Sequence, residues 1–229
     1  MKKVLVVDND ELILQFINDL LSKEGHQVVT AEDGLSALDI LKTDIPDVIL
    51  VDLVMPNIDG KKLCKIIRGM QKLRDVYIII LSATLAEQKI NIAELGANAC
   101  IAKGPLNDMA QHILSVIDQP DLASARCLAG QVIGIEGISP RTITAELLSV
   151  KRHFEVVLGR MSEEILEITS EGRIVYANPS ALSLIGVPEK ELLGSSFIEL
   201  FAGDARQRVA ELTKTIDDRP KTITEDSLL

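Results

Sequence analysis

The sequence predicts an α/β fold in which a five-stranded parallel sheet carries helices on both faces. Three observations predict it. Short apolar or β-branched runs recur at Val4–Val7, Gln27–Thr30, Val48–Val51, Val76–Leu81 and Ala99–Ala102, each too brief for a helix. Between them lie stretches whose apolar residues fall at helical spacing. Four of the runs end directly in a polar side chain: Asp8, Asp52, Ser82 and Lys103. Strands that alternate with helices in this way pair in parallel through right-handed crossovers.

The first run leads into Asp8-Asn9-Asp10, and Leu12, Ile13, Phe16, Ile17, Leu20 and Leu21 then mark a helix that Gly25 stops. After Gln27–Thr30, a second helix is marked by Leu35, Leu38, Ile40 and Leu41. Val48–Val51 follows, and Asp52 stands where that buried run meets a loop holding Pro56 and Gly60. A third helix is expected over roughly 61–70. Val76–Leu81 ends in Ser82, a helix closed by Gly96 leads to Ala99–Ala102 and Lys103, and a last helix covers Leu106 to Ile117.

Composition excludes several classes of function. The chain has 229 residues, 47% of them hydrophobic, enough for one large or two modest domains with real cores. A net charge of −10 and the lack of a dense Lys/Arg cluster argue against nucleic acid as a direct partner. Cys64, Cys100 and Cys127 are odd in number and lack metal-ligand spacing, which points to packed thiols in a reducing cytoplasm. No apolar run is long enough for a signal peptide or a membrane span, so a cytoplasmic location is expected.

In open parallel sheets the carboxyl ends of the strands form the ligand-binding edge. That rule brings Asp8, Asn9, Asp52, Ser82 and Lys103 together, although each alone could be a helix cap or a solvated surface group. Together they form a kit for phosphoryl transfer. The acids can hold Mg²⁺ through oxygen, with water filling its octahedron, while Asp52 attacks phosphorus. Lys103 would neutralise the phosphoryl oxygens and Ser82 would donate a hydrogen bond to one of them.

The motifs V-L-V-V-D at Val4–Asp8, D-L-V-M-P-N-I-D-G at Asp52–Gly60, I-I-L-S-A at Ile79–Ala83, and Lys103 after the fifth strand resemble the receiver domain of bacterial two-component response regulators. The resemblance covers residues 1–120. It implies a flavodoxin-like doubly wound sheet of order 2-1-3-4-5, with Asp52 as phosphoacceptor and a histidine kinase or phosphotransfer protein as donor. It also implies Asp8 and Asn9 at the acidic-pair positions, the Val54 carbonyl as a further metal ligand, and phosphoryl-binding roles for Ser82 and Lys103. Such a domain performs self-phosphorylation and self-dephosphorylation rather than turnover of a substrate. The chain departs from the pattern in three places: Asn9 replaces a second acid, Cys100 stands where an aromatic switch residue is usual, and Gly104 separates Lys103 from Pro105. Asp10 is a candidate to supply the charge that Asn9 lacks.

Residues 121–162 read as a connector, and the stretch from Pro120 to Ser139 suggests no role. Ser139-Pro140 then resembles a helix start, and Ile143, Leu147, Val150, Phe154, Val157 and Met161 recur at steps of four and three, the spacing of a heptad seam. Packing on the same chain and parallel dimerisation both fit this helix of about 140–162. With Leu147 at an a position, Glu146 and Lys151 fall at g and e with opposite charge, which favours a homodimer. His153 lies on this helix, but no nucleotide-binding domain follows that would make it a kinase phosphoacceptor.

From residue 163 to 229 the pattern changes to short strands, Ile165–Thr169 and Ile174–Tyr176, joined by Ser170-Glu171-Gly172. Helices are expected around 181–185, 188–193 and 204–216, with one more strand over 222–229. The run E-G-R-I-V-Y-A-N-P-S-A-L at Glu171–Leu182, with E-L-L-G at Glu191–Gly194 and Phe197, resembles the N-terminal part of a PAS domain. PAS domains finish with three antiparallel strands, so either this is a piece of one or a partner completes the sheet. No His or Cys between Glu163 and Leu229 could hold a haem or flavin, and no PAS ligand is identifiable. Two other functions stay open: a haloacid-dehalogenase-type phosphatase, with Asp8 as nucleophile and Asp10 as acid and base, and a receiver-like interaction module that is not phosphorylated.

Overall fold

The computed structural model of the protein describes residues 1–84, 92–118, 132–134 and 142–214. The Ser139-Pro140 helix start and the strand expected over 222–229 lie outside the described residues. The chain divides into two compact units, Met1–Val157 and Leu158–Leu229, each considered by itself below.

In the first unit, strands β1 (Lys3–Val7), β2 (Gln27–Ala31), β3 (Val48–Asp52), β4 (Tyr77–Ser82) and β5 (Ala99–Ala102) pair in parallel. Their order is 2-1-3-4-5, as the resemblance implies, and a sixth strand extends it. This β6 (Val132–Ile133) pairs in parallel with β5, with Cys100 opposite Val132 and Ile101 opposite Ile133. It comes from the stretch for which the sequence suggested no role. Gly134 follows in a left-handed conformation (φ 81°), and a Cβ there would sit 2.8 Å from the His112 ring. Only glycine lets the backbone lie that close.

Helices α1 (Glu11–Lys23), α2 (Gly34–Thr43), α3 (Gly60–Gly69), α4 (Ile92–Leu95) and α5 (Leu106–Ile117) fill the crossovers. Three begin on aspartate caps: Asp10 accepts from Leu12 N, Asp33 from Ser36 N, and Asp59 from Lys62 N, so orphan amide groups of the first turns are satisfied. Alternation along the strands separates two cores. Val4, Val6, Val48, Leu50, Ile79 and Ile101 pack with Leu14, Ile17 and Leu21 of α1 and Met109, Ile113 and Val116 of α5. Leu5, Val7, Ile49, Val51 and Ile80, equally buried, point the opposite way. Every residue of β3, β4 and β5 is buried, as expected of strands covered on both faces.

The loop after Asp52 is pinned at two points. Asn57 adopts a left-handed conformation (φ 60°), rare for a residue with a side chain, and its Nδ2 donates to Asp33 Oδ2 at 2.7 Å. At Gly60 the turn folds back onto the strand, and a Cβ there would lie 2.0 Å from the Asp52 carbonyl oxygen. The backbone therefore closes around Asp52 in a way no other residue type at position 60 permits.

α6 (Thr142–Arg160) follows, and the boundary between the two units falls within it. In the second unit, β7 (Leu166–Ile168) and β8 (Ile174–Ala177) form an antiparallel hairpin, followed by α7 (Pro179–Ile185), α8 (Glu189–Leu192) and α9 (Gly203–Lys214). The hairpin and helices occupy the segments the sequence assigned to them. Asn178, fully buried between β8 and α7, joins this unit together. Its Oδ1 accepts from the amides of Ile165 (3.0 Å) and Ala181 (2.9 Å), while Nδ2 donates to the carbonyls of Glu163 (2.8 Å) and Leu158 (3.3 Å).

Candidate functional site

Asp8, Asp52, Ser82 and Lys103 each stand at or just beyond the carboxyl end of a parallel strand, and the strand register sets them side by side. Asp52 is paired in register with Leu81, Ser82 with Ala102, and the Lys103 amide donates to the Ser82 carbonyl at 2.9 Å. The Lys103 ammonium then reaches back across the sheet edge, 2.7 Å from Asp52 Oδ2 and 2.6 Å from Asp8 Oδ2. Gly104 in place of the usual proline does not prevent this. Asp8, Asp52 and Ser82 are all buried, at 0%, 7% and 1% exposure.

Asn9 and Val54 occupy the rim, both exposed. The Val54 amide approaches Asp52 Oδ1 at 3.4 Å. Asp10 has one carboxylate oxygen engaged in the fold. Its Oδ1 caps α1 by accepting from Leu12 N at 3.0 Å, and its own amide donates to Asp8 Oδ1 at 3.0 Å. It therefore serves the site by orienting Asp8.

The electrostatics of the cluster are those of two acids sharing one cation. Burial pushes the Asp8 carboxyl above its usual 3.8, and the neighbouring Asp52 charge adds to this, against the opposing pull of Lys103. Burial also works against the Lys103 ammonium, but Asp52 and Asp8 together outweigh it and hold its pKa above the usual lysine value. Asp8 Oδ2 is in ionic contact with Lys103 yet has no well-directed hydrogen bond, so lone pairs remain for another positive charge. No group of three or more His, Cys, Asp or Glu side chains assembles among the described residues. Two carboxylates with neutral oxygens at the rim nonetheless suit Mg²⁺, which takes one or two carboxylates and keeps several waters.

A pH dependence follows from the raised Asp8 pKa. The folded state holds the Asp8 proton to higher pH than the unfolded state, so the metal-free protein loses stability as pH rises from 3.8 through the raised value. Asp8→Asn removes that loss. Urea unfolding without metal should show the variant gaining on wild type across that window, while a Mg²⁺ titration shows it binding more weakly. Parallel pH profiles for the two proteins would mean that Asp8 carries no burden of buried charge.

Residues 4–114 match the family model of the response regulator receiver domain, and residues 158–227 match that of the PAS fold. The chain thus carries a two-component response regulator receiver domain followed by a PAS domain. It is 36% identical over 127 residues to the probable transcriptional regulator ycf27 of Porphyridium aerugineum, covering 54% of this chain and 51% of that protein. It is also 36% identical over 102 residues to the alkaline phosphatase synthesis transcriptional regulatory protein PhoP of Bacillus subtilis, covering 44% of this chain and 42% of that one. Among solved structures it resembles the chemotaxis response regulator CheY4 of Vibrio cholerae, with 30% identity, a TM-score of 0.47, and coverage of 50% of this chain and 97% of that one. The chain spans about half the length of the first of these regulators and less of the second.

Two contacts at this site were not legible in the sequence. Thr84 hydrogen-bonds Ser82 within the buried cluster. Lys151, on α6, reaches Asp59 Oδ2 at 3.2 Å, at the cap of α3 and seven residues beyond Asp52. Thr84 lies in no motif whose spacing would single it out, and the heptad spacing that marks Lys151 points to Glu146 rather than to Asp59.

Proposed function

We propose that the protein is a phosphoacceptor signalling module in which Asp52 receives a phosphoryl group from a histidine kinase or phosphotransfer protein. The observation that carries this reading is the Asp8–Lys103–Asp52 cluster: a cation held between two buried carboxylates at the ligand edge of a parallel sheet. An Asp52 oxygen forms the new bond to phosphorus as the donor's P–N bond breaks, and the electron pair leaves with the imidazole, which takes up a proton. Lys103 then exchanges its carboxylate contacts for phosphoryl oxygens. Ser82 donates its hydroxyl proton to another of those oxygens. Asp8, Asn9, Asp52 and the Val54 carbonyl would hold Mg²⁺, which supplies charge neutralisation on the transferring group. Incubation with acetyl phosphate and Mg²⁺, followed by intact-mass analysis and peptide mapping, should place one phosphoryl adduct on Asp52. An adduct on Asp8 would instead support the phosphatase reading, and none at all the interaction module.

We further propose that α6 relays the signal and forms a parallel homodimer. Leu147, Val150, Phe154 and Val157 are 66%, 53%, 61% and 44% exposed, which leaves these seam positions open among the described residues. Roughly a third of a turn round the helix from the seam, Leu148, Lys151 and Arg152 line a shallow pocket shared with Leu53, Val54 and Asp59. One face of α6 thus meets the phosphorylation loop while another is left for a second copy. Lys151 is the residue both faces compete for, since heptad register pairs it with Glu146 of a partner helix and the fold pairs it with Asp59. Burying a large apolar side chain fully contributes roughly 1.5 to 3 kcal/mol, so Phe154→Asp should dissociate the dimer. Sedimentation velocity at tens of micromolar checks this. A monomeric wild type would return α6 to a purely intramolecular role.

A further inference from the structure

Ser82 has three hydrogen-bonding positions, one O–H donor and two acceptor lone pairs. At 1% exposure it has no bulk solvent with which to fill them. The Thr84 amide takes one lone pair, donating to Ser82 Oγ at 3.1 Å. The Thr84 hydroxyl, itself buried, lies 3.0 Å from the same atom and takes a second position. Which one it takes decides what Ser82 offers to the site. If Ser82 donates to Thr84, the position left is a lone pair, which repels a phosphoryl oxygen. If Thr84 donates to Ser82, both lone pairs are occupied and the position left is the O–H donor that a phosphoryl oxygen requires.

We propose that Thr84 is a positioning residue for phosphoryl transfer: its hydroxyl and amide together saturate the acceptors of Ser82 and turn the Ser82 proton toward the phosphoryl group. This rests on the reading that Ser82 contacts that group. The change between the two states needs only hydroxyl rotation, because the β-branched Thr84 and the buried Ser82 hold their heavy atoms in place. Hydroxyl hydrogens turn without disturbing the packing, so the site can be set by the arrival of an acceptor alone. The side-chain contact that Thr84 makes at this site is with Ser82, and its effect passes through Ser82.

The test is a double-mutant cycle on the full chain, using acetyl phosphate and Mg²⁺ and following adduct formation by intact mass. Thr84→Val keeps the shape and removes the hydroxyl; it should slow the maximal rate on the order of two- to tenfold, the worth of one oriented hydrogen bond, and leave half-saturating Mg²⁺ unchanged. Thr84→Ser restores the hydroxyl and should restore the rate. In a Ser82→Ala background, Thr84→Val should have no further effect. Equal slowing in both backgrounds would overturn the proposal, since Thr84 would then act through packing, and so would a Thr84→Val rate equal to wild type. If Ser82→Ala is itself as fast as wild type, the role of Ser82 falls and that of Thr84 falls with it. A slow Ser82→Ala beside a fast Thr84→Val removes the role of Thr84 alone.

Discussion

Asp52→Asn is expected to abolish phosphorylation outright, with no adduct by intact mass after incubation with acetyl phosphate and Mg²⁺. The amide matches the carboxylate in shape and can still meet Lys103 through its oxygen, so the sheet edge should keep its geometry. It lacks the anionic oxygen that attacks phosphorus. Asp8→Asn should be partial by comparison, because it weakens the hold on the metal and leaves the nucleophile in place. The contrast follows from the structure, in which both carboxylates meet the same ammonium at 2.6 and 2.7 Å but only Asp52 lies at the mouth of the β3–α3 loop. An adduct that survives Asp52→Asn and maps to Asp8 would reverse the two roles.

Asn178→Ala should cost the second unit about 2 to 6 kcal/mol, on the basis of about 1 to 3 kcal/mol for each of the two amides left without a partner. The side chain makes four hydrogen bonds from a fully buried position, two accepted and two donated. Its loss strands the amides of Ile165 and Ala181 and takes one partner from the carbonyls of Glu163, an exposed residue, and Leu158, which still accepts from Met161 N. Asn178→Asp separates the two halves of that effect: the accepted bonds survive, and a carboxylate oxygen is turned against two carbonyl oxygens. Amide hydrogen exchange should therefore show Ile165 and Ala181 losing protection in Asn178→Ala and retaining more of it in Asn178→Asp, with both variants unfolding at lower urea than wild type. Unchanged urea midpoints would show that water replaces the side chain without loss.

The main lines of the fold were legible because parallel sheets obey strong rules. The Val48–Val51 run could only be a buried strand, and a strand that ends in Asp52 places that residue at the ligand edge whatever the details of its neighbours. The same rule brought Asp8, Ser82 and Lys103 together across almost a hundred residues of sequence. What stayed hidden depended on side-chain geometry or on very short elements. Val132–Ile133 is too brief to show any period, and its glycine-rich surroundings read as a loop. Asp10, one of three consecutive polar residues, reads as a spare metal ligand, and the structure adds that one of its carboxylate oxygens caps the helix behind it. Lys151 was assigned to a partner helix by heptad register, and the fold gives it Asp59 as well. Asn178 lay within a recognisable motif, yet only the three-dimensional contacts show that it bonds segments on either side of the hairpin.

Two residues of β6 also change what the receiver presents to its surroundings. Strand β5, Ala99–Ala102, is short, apolar and fully buried, and on one side it would end the sheet with a row of unpaired amides and carbonyls. Such an edge is a template for another chain's strand and a site of edge-to-edge association. Val132 and Ile133 take up that edge from within the same molecule. A first unit cut after Asp118 would keep Asp8, Asp52, Ser82 and Lys103 and lose its protection against self-association.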